Sequence, residues 1–104
     1  MTRKEKILAM LAEEPNDSFL KYSLALELRK EEDYQQSIGI LKELAYDPQV
    51  NYVAAFFMAA QQLAELGQSE EARGFLRDGI EQARCQNNLH AAAEMAELLK
   101  ELGK

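Results

Sequence analysis

Residues 20–44 read LKYSLALELRKEEDYQQSIGILKEL, and residues 55–79 read AFFMAAQQLAELGQSEEARGFLRDG. Laying position 20 on position 55 sets Leu24 on Ala59, Ala25 on Ala60, Leu28 on Leu63, Ser37 on Ala72, Leu41 on Leu76 and Leu44 on Gly79. Small and large residues recur in step. Small residues let two helices approach closely, and large ones fill the facing grooves. Each stretch is apolar at a spacing of three to four, breaks at a polar turn, and resumes the same spacing. That is a helix–turn–helix unit, repeated once.

Working outward from the repeat, the periodicity predicts six helical segments. The first runs from about Arg3 to Glu13, capped by Thr2, with Ile7, Leu8 and Leu11 as its apolar stripe and Pro15 beyond its end. The second follows Asn16-Asp17 and reaches about Lys30, with Leu20, Leu24, Ala25 and Leu28 inward. The third spans about Tyr34 to Ala45, presenting Ile38, Leu41, Leu44 and Ala45, and Asp47-Pro48 ends it. The fourth runs from about Tyr52 to Leu66, with Gly67 past its end. The fifth, expected to be capped by Ser69, reaches about Cys85 and buries Ala72, Phe75, Leu76, Gly79, Ile80 and Ala83. The sixth runs from about Leu89 to Leu102, with a stripe of Ala92, Met95, Ala96, Leu99 and Leu102. Links of a few residues force consecutive helices to lie antiparallel.

A chain of 104 residues suits one domain with one core. Its net charge of −6, with no basic patch, argues against nucleic acid, because phosphate binding needs Lys and Arg. An anionic membrane surface would repel it too, and no apolar run approaches the roughly 20 residues that span a bilayer. The apolar segment ILAMLA near the N-terminus is too short for a secretory core, and Glu13 and Glu14 follow it. A cytoplasmic location is expected. Cys85 is the only cysteine, so no intrachain disulfide can form.

The repeat resembles the tetratricopeptide repeat, a unit of about 34 residues with the pattern W-x2-L-G-x2-Y, then A-x3-F, then P. Phe56, Ala59-Ala60, Leu63, Ala72 and Leu76 match it in the second unit, as does the turn LGQSEEA, Leu66 to Ala72. In the first unit the match is Leu24-Ala25, Leu28, Tyr34, Leu41 and Pro48. Lys21 stands where an aromatic is expected, Glu32 replaces the turn glycine, Pro48 is one residue early, and Arg84 replaces the second unit's closing proline. The resemblance covers about Ser18 to Arg84. It implies an all-α, right-handed solenoid of antiparallel helical hairpins. The chain then divides into an N-terminal helix (1–16), a first repeat (18–50), a second repeat (51–85) and a C-terminal capping helix (88–104).

Adjacent residues on a helix point about 100° apart, so Phe56 and Phe57 cannot serve one stripe. Phe56 leads Ala60 and Leu63, the packing face. Phe57 leads Gln61, Ala64 and Gln68, a more polar face. The resemblance places that second face on a concave groove, with Phe19, Tyr22, Leu26, Arg29 and Lys30 at the equivalent stripe of the first unit. Such a groove suits a peptide or protein segment: aromatics give large contact area, and Arg29 or Lys30 is placed to meet a carboxylate. Some relatives clamp chaperone C-termini with Lys and Asn side chains. Here Tyr22, Leu26 and Met58 hold those positions, so that activity is not implied. Two other readings stand beside the open groove. The N-terminal helix folds across it and makes Phe57 core, or a second copy covers it in a homodimer.

No catalytic constellation is evident. His90 is the only histidine, without further ligands at a metal-binding spacing. Cys85 lacks a resolving cysteine. The pairs Glu13-Glu14, Glu31-Glu32 and Glu70-Glu71 fall at expected turns and helix starts, where acids complement the helix dipole or face water. No enzyme activity and no cofactor is expected. The function expected is protein interaction, with a structural, self-assembling module as the alternative.

Overall fold

The computed structural model describes residues 1–103; Lys104, the last residue of the expected capping segment, lies outside the described residues. The helices are α1 (Arg3–Glu13), α2 (Ser18–Lys30), α3 (Tyr34–Tyr46), α4 (Val53–Glu65), α5 (Ser69–Cys85) and α6 (Leu89–Glu101), with no strand among the described residues. Local chemistry fixes their starts. Thr2 and Glu5 form a reciprocal capping box, the Glu5 amide donating to Thr2 Oγ1 at 3.1 Å and the Thr2 amide to Glu5 Oε1 at 2.8 Å. Asp17, Asp33 and Asn88 each accept a backbone N–H from the first turn of α2, α3 and α6. Ser69, expected as a cap, is instead the first residue of α5, and Gln68 holds the cap position without a side-chain hydrogen bond. The turn before it, residues 66–68, has the same length as those before α3 and α6, which puts the cap at Gln68.

Three of the turns share one geometry. At each, a residue with positive φ follows the helix: Glu32 (63°), Gly67 (79°) and Asn87 (60°). The next amide reaches back five residues, from Asp33 to Leu28 O, Gln68 to Leu63 O and Asn88 to Ala83 O, at 2.9, 2.8 and 2.7 Å. These are Schellman closures, and they set successive helices antiparallel at short reach.

Each helix packs chiefly on the next, and α6 also reaches α4. The product is a short solenoid with principal extents of 41 × 29 × 19 Å. The repeat read from the sequence is a repeat in burial. Ala25 and Ala60, Leu28 and Leu63, Ser37 and Ala72, and Leu41 and Leu76 are all buried pairwise. Phe56 sits at the centre, its ring edge-on to Tyr46 (centroids 5.1 Å apart) and to Phe75 (6.5 Å), which ties α3, α4 and α5 together. Tyr46 donates to Asp78 Oδ2 at 2.5 Å. Burial first, then this acidic partner, push its phenol well above the ordinary tyrosine value.

At the ends the expected stripes are only partly buried. Ile7 is buried, but Leu8 is exposed and Leu11 only half-buried, because α1 has a single main neighbour. Ala96, expected inward on α6, is exposed for the same reason.

Two close contacts define the interior. A Cβ added to Gly79 would lie 2.6 Å from both Phe56 Cβ and Met95 Sδ, so α4, α5 and α6 converge where this side chain is absent. In the first unit, the buried Ser37 hydroxyl donates to Ala25 O at 2.7 Å and accepts from Gln62 Nε2 at 2.9 Å, joining α2, α3 and α4. Because the hydroxyl proton is committed to Ala25, Gln62 must present its NH2 side. Its Oε1 is buried without a partner.

Both contacts are testable by urea denaturation. Gly79→Ala is expected to lower stability by about 1–3 kcal/mol through overpacking, although alanine is the better helix former. Gly67→Ala, with open space around it but a left-handed backbone, is expected to cost about 1 kcal/mol. Wild-type stability in Gly79→Ala would mean that the three helices separate at little cost. Ser37→Ala is expected to cost about 1–3 kcal/mol, because it strands the Gln62 amide, and adding Gln62→Met should recover much of the loss. Strict additivity of the two changes would show that the bonds are uncoupled.

Candidate protein-binding groove

Alternate helices α2, α4 and α6 lie side by side, and side chains bridge them. From α2, Arg29 Nη2 reaches Glu65 Oε2 of α4 at 2.7 Å, and its Nη1 lies 3.3 Å from Met58 Sδ. Tyr22 packs on Tyr52, just before α4, with ring centroids 5.3 Å apart. Burial, then proximity to Tyr52, raises the Tyr22 phenol above its usual value, while Arg29 pulls the other way. Between α4 and α6 lies an open cavity of about 320 Å³, lined by Phe57, Gln61, Glu94, Glu97, Leu98 and Glu101.

The residues singled out from the sequence fall into two groups. Phe57 and Gln61 share the α4–α6 cavity; both are half-buried, and Phe57 also packs against the core. Tyr22, Leu26 and Arg29 are half-buried on α2, next to α4. Phe19 is exposed at the start of α2 and makes no aromatic pair. Lys30 is exposed and bonded to Glu27 at 3.2 Å. The cations expected to meet a ligand carboxylate are therefore already matched within the chain, Arg29 by Glu65 and Lys30 by Glu27.

The α6 residues of the cavity were not foreseen. Glu94, Glu97 and Glu101 follow a spacing of three and four, which puts three carboxylates on one helical face beside Leu98. That spacing was visible in the sequence, but it carries no reading until α6 is placed against Phe57. The N-terminal helix lies elsewhere. It is pinned to α2 by Ile7, by Arg3–Glu27 at 3.1 Å and by Lys4–Glu31 at 3.0 Å, and none of its residues lines the Phe57 cavity.

Other chemistry is sparse. Cys85 is exposed at the last position of α5, and His90 Nε2 lies 3.6 Å from Glu94 Oε1 on the surface of α6. Among the described residues, no group of three or more His, Cys, Asp or Glu side chains is placed to hold a metal ion. None of the described helices is long and apolar enough to cross a membrane.

The fold is that of tetratricopeptide-repeat domains. The chain superposes on the solution structure of a tetratricopeptide repeat domain protein from Salinibacter ruber with a TM-score of 0.78 and 23% identity, over 85% of this chain and 88% of that one. A crystal structure of a tetratricopeptide repeat domain protein from Salinibacter ruber gives 0.76 and 22%, over 85% and 97%. A protein from Bordetella parapertussis, solved in solution, gives 0.81 and 22%, over 99% and 89%. No protein-family model and no curated protein matches the chain.

Because Phe57 is half-buried, Phe57→Ala is expected to cost about 1–2 kcal/mol, less than the roughly 3–5 of a fully buried phenylalanine. The variant should keep wild-type helical circular dichroism. A loss near the upper figure would make the residue core.

Proposed function

We propose that this chain is a protein-interaction module whose concave side, centred on Phe57, takes a segment of another protein. The supporting observation is the cavity itself. An aromatic floor is accessible between α4 and α6, and α1 does not lie across it. The rim supports one ligand chemistry over the other. Three carboxylates of α6, Glu94, Glu97 and Glu101, line the same cavity as Phe57 and Leu98. The segment that fits carries an apolar anchor flanked by Lys or Arg, the reverse of the acidic ligand that Arg29 and Lys30 suggested. The anchor supplies contact area, and the flanking charges supply selectivity and encounter rate. On this reading Phe57 and Gln61 make the contact, with Tyr22, Leu26 and Arg29 extending the surface along α2. Phe19 and Lys30 lie at its margin. The chain acts by recognition and needs no cofactor or catalytic group.

The test is binding of short synthetic peptides with one central Leu or Phe, flanked either by lysines or by glutamates, followed by amide chemical shifts. The lysine-flanked peptide is expected to perturb Gln61 and α6, and Phe57→Ala should abolish the effect. A preference for the glutamate-flanked peptide, or shifts away from α4 and α6, would sink the reading. A concentration-dependent dimer that dissociates in folded Phe57→Ala would assign the surface to a second copy instead.

A further inference from the structure

The helix α6 is built like α4. Moving Tyr52, the cap of α4, onto Asn88, the cap of α6, is a shift of 36 (88 − 52). The same shift carries Asn51 onto Asn87, both with positive φ, and Gly67 onto Gly103, with φ of 79° and 82°. It also places Ala92 on Phe56, Met95 on Ala59, Ala96 on Ala60 and Leu99 on Leu63. On α4 the last two are sealed within the α3–α4–α5 packing, Ala60 at 0% and Leu63 at 2% exposure. On α6 their counterparts lie open: Ala96 is exposed and Leu99 half-buried. They floor a groove of about 460 Å³ between α5 and α6, together with Ile80. A helix laid in that groove would stand to α6 as α5 stands to α4.

The rim of the groove specifies the helix. Arg77, Arg84 and Lys100 line it, and none of the three makes an ion pair among the described residues, whereas Arg3, Lys4, Arg29 and Lys30 all do. In a chain of net charge −6 this is a local gathering of positive charge, firmest at Arg84 and Lys100, since Arg77 also borders Glu70 and Glu71 at the start of α5. The acids of α6 do not cancel it: Glu94, Glu97 and Glu101 line the cavity against α4 instead. A second copy is a poor occupant. Packed groove to groove, it would set Arg77, Arg84 and Lys100 against their own counterparts. Its acidic patch on α6 borders a concavity and has no ridge to fill a groove.

We propose that the α5–α6 groove docks an amphipathic helix of a partner protein, its apolar stripe on Ile80, Ala96 and Leu99 and its Asp or Glu margins against Arg77, Arg84 and Lys100. Burial of the stripe supplies attraction, and the charged margins set orientation and exclude basic helices. This surface is separate from the Phe57 cavity and prefers the opposite charge, so the two fail independently.

The probe is a synthetic peptide of the length of α5, 17 residues. It keeps the α5 pattern of buried positions, with glutamate at the remaining ones. A second peptide carries lysine there. Fluorescence anisotropy against the full chain is expected to show saturable binding of the glutamate peptide only, weakening as salt rises. Arg84→Glu combined with Lys100→Glu should reduce affinity by about tenfold or more, with unchanged circular dichroism because both side chains are exposed. Phe57→Ala should leave it unchanged. Equal binding of both peptides, no saturable binding, or indifference to the double charge reversal would each overturn the proposal. So would a dimer in light scattering that the double reversal dissociates, since the groove would then belong to a second copy.

Discussion

Three helices meet at Gly79 because nothing stands there. The α4 backbone comes within reach through Phe56 Cβ, and Met95 of α6 closes from the other side. One methyl group would push both away. This contact sets how deeply α5 beds on α4 and where α6 comes to rest. From the resting place of α6 follow the cavity against Phe57 and the groove beside Ile80. A glycine in a helix interior costs about 1 kcal/mol of intrinsic propensity relative to alanine. The structure recovers that by burying Phe56 and Met95 almost completely.

The first unit solves the same packing problem differently. Leu44 takes the place of Gly79, and its helices are joined by the polar thread from Gln62 through Ser37 to Ala25. A buried hydroxyl that both donates and accepts leaves little freedom in how three helices align, which favours one packing over near neighbours. The stranded Gln62 oxygen is the cost of that thread.

Much of this was legible in the sequence. The duplicated spacing of Leu28 and Leu63, Leu41 and Leu76, and the small residues between them, gave the hairpins and their order. Thr2 and Asn16-Asp17, capping residues ahead of apolar stripes, marked the starts of α1 and α2. Local rules sufficed there because the chain packs on its sequence neighbours. Legibility failed where a side chain's role depends on a helix two places away. Arg29 read as a ligand cation because Glu65, distant in sequence, is its partner. The face of Glu94, Glu97 and Glu101 drew no reading from the sequence, because nothing in α6 reveals that Phe57 lies opposite. Glu32 broke the turn pattern on paper, yet it adopts the left-handed backbone with φ of 63° where Gly67 has 79°, and the turn closes alike.

The attachment of α1 has a consequence for how the molecule comes apart. One buried isoleucine and two ion pairs with exposed cationic or acidic members hold it to α2. Exposed pairs of this kind are worth little, about 1 kcal/mol or less each. Stability in a linear array sums over adjoining interfaces, so the end with the thinnest interface opens at the lowest free energy. The N-terminal helix is therefore expected to open at a lower free energy than the Phe56 cluster and the Gly79 contact, which do not involve it.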